Sequence, residues 1–268
     1  MEEAKAPQPI QPFPGLTEAE MRDFGLTWPP TQDELPYSDG MPMESNYHVL
    51  QMYLLIETLK LYWAGREDVF VGGNMFVYFS PKQERSHDFR GPDFFVVQGV
   101  QHRERKSWVV WEEGKGPDVV IELLSDSTAD RDKEEKKLVY QDRLRVPEYF
   151  WFDPYTSELA GFALHDGVYR PIAPDAQGRL LSAQVQLALT RWEGTYSDEY
   201  NCWLRWATLD GALLPTAEEK ATQALRSAEA AQQQAEAAQQ QAEAAQQRAD
   251  ELAALLARYR ERFGNLPE

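Results

Sequence analysis

At 268 residues and 43% apolar content, the chain is long enough for one domain of ordinary size plus appendages. A formal net charge of −17 at pH 7 argues against avid non-specific DNA binding, because basic groups that neutralise phosphates supply most of such affinity. One cysteine, Cys202, excludes an intramolecular disulfide framework and a cysteine-based zinc cluster.

The charge is unevenly spread. Residues 82–148 are nearly neutral and both flanks are acidic, so action on nucleic acid must use local basic residues or a bridging metal. His48, His87, His102 and His165 lie far apart without metal-ligand spacing. The opening Met-Glu-Glu-Ala-Lys lacks the basic and apolar regions of a signal peptide, and no apolar run approaches a membrane span. A soluble, cytoplasmic protein with no membrane partner is expected.

In chain order, residues 1–42 hold eight of the 17 prolines and read as an irregular arm, with Phe13, Leu16, Phe24 and Trp28 available for partial packing. From Glu44 to Trp63 the apolar residues Met52, Leu55, Leu59 and Tyr62 recur at helical spacing, which predicts a helix of about five turns. Strand-like runs follow at Val69–Val71 and Met75–Phe79, and the intervening Gly72-Gly73-Asn74 reads as a hairpin turn. Further strands are expected after Asp93, at Trp108–Trp111, at Val119–Leu124 and at Tyr149–Phe152. Ser125, Ser127 or Thr128 can cap a helix leading through Lys136 and Tyr140. Short antiparallel strands are expected from Leu159 to Trp206. The order of elements predicts an α/β (α+β) fold with a mixed sheet over residues 43–212.

Residues 213–264 form a third region, rich in Ala, Gln and Glu. A seven-residue repeat places Ala228, Ala231, Ala235, Ala238, Ala242, Ala245 and Ala249, then Leu252, Leu256, Tyr259 and Phe263, along one seam. High helix propensity and the heptad predict a long helix of coiled-coil type, and with it a homodimer or higher oligomer. Alanine seams bury little area, so an isolated solvated helix is the competing reading.

Two acids stand out. Glu122 lies inside the apolar run Val119–Leu124, sharing a strand face with Asp118, Val120 and Leu124. Asp93 heads the run Phe94-Phe95-Val96-Val97. A carboxylate in such a strand is costly unless paired, solvated in a cleft or bound to a cation. Two hard oxygen ligands at strand ends suit Mg²⁺, which takes one or two carboxylates and completes its shell with water and substrate phosphate. The plainer alternative for Glu122 is a buried ion pair with Arg131 or Lys136. Arg85, His87 and Arg90 are candidate phosphate contacts.

The ordered series Gly-Pro-Asp (91–93), Gly-Pro-Asp-Val-Val-Ile-Glu-Leu-Leu-Ser (116–125), Ser-Thr-Ala-Asp-Arg-Asp-Lys-Glu-Glu-Lys-Lys (127–137), Tyr140 and Val-Pro-Glu-Tyr-Phe-Trp-Phe-Asp-Pro (146–154) resembles the Uma-two-type endonucleases. That family belongs to the PD-(D/E)XK restriction-endonuclease-like superfamily. The resemblance covers roughly residues 42–190. It implies a restriction-endonuclease-like mixed sheet flanked by helices and Mg²⁺- or Mn²⁺-dependent hydrolysis of DNA phosphodiesters. Asp93 and Glu122 become metal ligands, with the backbone carbonyl of Leu123 a third. The lysine usual two residues after the glutamate is replaced by Leu124. Lys136, four residues before Tyr140, is the preferred substitute over Lys137. Glu44 and His48 are auxiliary candidates, to orient Lys136 or reach the metal through water. The alternative function is a catalytically idle nuclease fold that serves as a binding or assembly module through its C-terminal coiled coil.

Overall fold

The computed structural model describes residues 17–23, 25, 29–37, 43, 45–80, 89–125 and 135–264. The chain divides after Thr216 into two units, the second beginning at Ala217. Phe13, Leu16, Phe24 and Trp28 of the N-terminal arm, and the capping residues Ser127 and Thr128, lie outside the described residues.

The first unit opens with a short helix, α1 (Glu18–Asp23), started by a reciprocal cap: Glu20 N–H donates to the Thr17 hydroxyl and Thr17 N–H to the Glu20 carboxylate. Helix α2 (Asn46–Tyr62) follows, with Ser45 at its N-cap accepting from His48 N–H. The strands then run β1 (Val69–Gly72), β2 (Val77–Tyr78), β3 (Phe89–Arg90), β4 (Phe94–Gln98) and β5 (Trp108–Val109). After helix α3 (Val110–Glu113) come β6 (Val119–Leu123), a π-helical segment (Val139–Leu144) and β7 (Glu148–Phe152). The unit continues with β8 (Leu159–His165), β9 (Val168–Pro171), β10 (Leu180–Ser182), β11 (Leu187–Tyr196) and β12 (Glu199–Ala207).

Six strands form the central mixed sheet, in the order β1-β4-β6-β7-β8-β9. Only the β6–β7 step is parallel; its neighbours are antiparallel. Parallel neighbours need a crossover connection, and the chain between Leu123 and Glu148 supplies it. Strands β10, β11 and β12 make a second, antiparallel sheet, and β3-β2-β5 a small third one. The α+β class with a mixed sheet is therefore as expected from the sequence.

Helix α2 packs one side on the central sheet, with Met52, Leu55 and Leu59 against Val71, Val96 and Ile121, while Leu204 and Trp206 of β12 belong to the same core. Burial between two layers explains why its apolar residues spread round the helix rather than forming one stripe. It also explains a buried glutamine. Gln51 donates through Nε2 to the Leu204 carbonyl and accepts Leu204 N–H, both at 2.8 Å, so its amide completes the hydrogen bonding of β12 as another strand would.

Two sequence expectations are corrected. Gly72-Gly73-Asn74 is no hairpin turn: β1 pairs with β4, and β2 pairs with β3 and β5 in another sheet. Asn74 N–H donates to the Pro92 carbonyl, so the chain follows the start of β4 instead of folding back on β1. The strand expected over Trp108–Trp111 ends at Val109 and turns into α3, whose residues Glu112 and Glu113 receive Arg103, Arg105 and Gln32.

Glu148, buried at the start of β7, accepts Ala183 N–H at 2.8 Å, Gln184 N–H at 3.3 Å and the Ser182 hydroxyl. Burial pushes its carboxyl up, and these bonds act against that shift. Glu148→Ala leaves those donors without their acceptor and is expected to lower the unfolding free energy by about 2–3 kcal/mol in a urea titration.

The second unit is one helix, Ala217–Phe263, with Glu218 and Glu219 in its first turn and Arg260 and Arg262 in its last, matching the helix dipole. Gln232, Gln239 and Gln246 each donate to the acid four residues on, at 2.9 Å. Among the described residues no helix is long and apolar enough to cross a membrane.

Candidate active site

The register of β4 and β6 positions the two acids. Phe94 pairs with Ile121, so one residue further out Asp93 comes beside Glu122. Alternation along each strand turns both toward the face that carries Phe95, Val97, Val120, Tyr140 and Tyr149. The two carboxyl groups are near enough for the charge of Glu122 to act on Asp93. Leu123 N–H donates to Asp93 Oδ2 at 2.8 Å, which ties the head of β4 to the end of β6. In an extended strand a residue's N–H and C=O point to the same neighbour, so the Leu123 carbonyl is directed to the Asp93 side as well.

Glu122 is 1% exposed yet well partnered. The Tyr140 hydroxyl donates to its Oε1 at 2.5 Å, and the Lys136 ammonium lies 3.2 Å from its Oε2. The π-helical segment begins at Val139, and both Lys136 before it and Tyr140 within it reach Glu122. Burial, then the charge of Glu122, pushes the Asp93 carboxyl well above the usual carboxylate range, while Lys136 and Leu123 N–H act against the shift. Burial and the same glutamate push the Tyr140 phenol up, which keeps it a neutral donor.

The other candidates are placed differently. Lys137 Nζ lies 3.6 Å from the centre of the Phe162 ring on β8, two strands from Glu122. Leu124, at the position where the resemblance leads one to expect a lysine, is buried, and its amide donates to the Phe152 carbonyl at 2.8 Å. His48 is buried with both ring nitrogens engaged, Nε2 with the Leu124 carbonyl at 3.0 Å and Nδ1 with the Ser45 hydroxyl at 2.8 Å. Nε2 must carry the proton, since a carbonyl only accepts. His48 thus holds the backbone just past β6. Glu44, Arg85, His87 and Arg131 lie outside the described residues, and Arg90 donates to the Phe89 carbonyl.

Sequence reasoning missed two contributors. Tyr140 carries a helical-spacing signal, four residues after Lys136, but only the structure shows its hydroxyl on Glu122. Gly73, read as a turn residue, lies so close to the Asp93 carbonyl that an added Cβ would collide with it and press on the Met52 side chain. Gly73→Ala is expected to cost about 1–3 kcal/mol of stability by displacing the head of β4, measurable as a lower thermal midpoint.

Comparison with known proteins gives one family. The model of the Uma2 family, described as "Putative restriction endonuclease", matches residues 22–193. Among solved structures, one similar chain is from Anabaena variabilis, described as a "putative nuclease belonging to DUF820", at 18% identity and a TM-score of 0.39; the match covers 56% of this chain and 88% of that one. No curated protein matches. The family model spans most of the first unit and includes Asp93, Glu122, Lys136 and Tyr140, and on that match the chain belongs to the Uma2 family.

Proposed function

We propose that this chain is a metal-dependent endonuclease that hydrolyses phosphodiester bonds in DNA. The observation that carries the reading is the convergence of Asp93, Glu122 and the Lys136 ammonium at the ends of β4 and β6. Among the described residues no group of three or more His, Cys, Asp or Glu side chains could hold a metal. Two carboxylates nonetheless suffice for Mg²⁺ or Mn²⁺, which leaves room for water and substrate phosphate. Their crowding fits a cation: Asp93 resists ionising beside Glu122, and a divalent ion relieves that repulsion. Asp93 and Glu122 would hold it, with the Leu123 carbonyl directed to the same side. When bound, the ion polarises the phosphate and lowers the pKa of a coordinated water.

The chain's own groups do the rest. Tyr140 fixes the orientation of Glu122, Leu123 N–H fixes Asp93, and His48 fixes the backbone beyond Glu122. Lys136, 28% exposed, offers its ammonium to charge developing on the phosphate oxygens. The competing reading is a nuclease fold kept as an assembly module; it draws on Leu124 in the lysine position and on the acidic charge. Mg²⁺- and Mn²⁺-dependent cleavage of plasmid and single-stranded DNA by the purified chain, beside Glu122→Ala, decides between them. Cleavage lost with Glu122 supports the nuclease. No cleavage by the folded wild type supports the module.

A further inference from the structure

We infer that the C-terminal helix is a self-association surface whose occupant is a second copy of this chain, paired parallel and in register. The inference stands apart from the nuclease reading.

The helix from Ala217 to Phe263 has no buried residue among those described, yet it carries large apolar side chains at its far end. Leu252 is 61% exposed and Leu256 47%, with Leu255 and Tyr259 exposed beside them. A solvated helix would not need leucines and a tyrosine on one side. These residues prolong, without a break, a three-and-four spacing of apolar positions that begins at Ala217. That spacing is the pattern of a helix facing a coiled-coil partner along its whole length.

Charge does not oppose a second copy. In a parallel pair, flanking positions five residues apart face each other across the seam. Here Gln234 meets Gln239, Gln241 meets Gln246 and Leu255 meets Arg260, so no like charges oppose a second copy. The glutamates of the repeat lie outside the seam, and Glu236 and Glu243 are hydrogen-bonded along the helix by Gln232 and Gln239. The basic residues on these flanks, Lys220, Arg248, Arg260 and Arg262, face no like charge in a parallel second copy, so self-pairing carries no repulsion along the seam.

Size and shape agree. A 47-residue helix is about 70 Å long, and a contact strip about 10 Å wide gives roughly 1,400 Å² over both copies, within the range of specific stable interfaces. In-register parallel pairing sets Leu252, Leu256 and Tyr259 against their own equivalents and alanine against alanine. Full antiparallel overlap would set the leucines of one copy against the alanines near Ala217 of the other. The leucine end is therefore the clasp, and the alanine stretch follows it into contact.

Sedimentation equilibrium of the full chain at micromolar concentration tests this. The expected mass is twice 30.8 kDa. Leu252→Glu with Leu256→Glu buries unpaired carboxylates and should weaken association by at least about a hundredfold, with tryptophan near-UV dichroism unchanged. Orientation is read in a Cys202→Ser background, where Tyr259→Cys should cross-link two copies under mild oxidation. A monomer at 100-fold higher concentration, a dimer indifferent to the two glutamates, or cross-linking only between Lys220→Cys and Tyr259→Cys chains would overturn the inference.

Discussion

Asp93→Asn is expected to raise the unfolding temperature of the metal-free chain at neutral pH while lowering Mg²⁺-dependent cleavage at least about a thousandfold. Asparagine reproduces the protonated aspartic acid: its carbonyl can accept Leu123 N–H and its amide can donate to Glu122. The sign follows from linkage. The folded chain holds the Asp93 proton more tightly than the unfolded chain, so stability falls as pH rises from the ordinary carboxylate range through the raised folded value. The asparagine variant escapes that loss. Its advantage, on the order of 1 kcal/mol or more above the raised value, should vanish in acid, where both states of the wild type are protonated. Calorimetry of both proteins across pH, with and without Mg²⁺, measures it. Added metal should stabilise the wild type and not the variant if the proposed pair of carboxylates is the metal site. A variant less stable than wild type at pH 8, or an advantage independent of pH, would show that Asp93 is not the strained carboxyl described above.

Lys136→Ala is expected to lower cleavage by about 10²–10³-fold, the usual effect of removing one preorganised donor from a developing charge. Lys137→Ala should stay within about threefold of wild type, because its ammonium lies over Phe162 rather than beside Glu122. Lys136→Arg keeps the charge but changes reach and shape, and should recover part of the loss. A single-turnover assay at saturating metal separates chemistry from binding. Equal losses in the two alanine variants would move the lysine's role into general attraction of DNA. A much larger loss for Lys137 would make the helix register the wrong one.

Some of this arrangement is legible in the sequence and some is not. Asp93 and Glu122 stand out because an acid in an all-apolar strand needs a partner, and β4, β6 and β7 are apolar enough to be read as buried strands. Helix α2 is equally plain. The Gly72-Gly73-Asn74 turn misleads because local turn chemistry competes with long-range pairing: β4 takes the partner edge of β1, and Gly73 serves close approach to Asp93. The strand at Trp108 is cut short because ion pairs from Arg103 and Arg105 gather on Glu112 and Glu113. Spacing alone puts Tyr140 on the side of Lys136 but cannot place its hydroxyl on Glu122, because a π-helical segment departs from the 3.6-residue period on which such arguments rest.

Leu124 and Lys136 together have an evolutionary corollary. A lysine on β6 would share the fate of Glu122, since both would ride one strand. Here the sheet owns the acids and a separate segment owns the ammonium, so the two can drift independently. Insertion or deletion of a residue between Leu124 and Glu135 would leave the acids in register and misplace the lysine. Under the nuclease reading, such lineages would keep the fold and lose the reaction, and a silent member of this family could arise by a change of length alone.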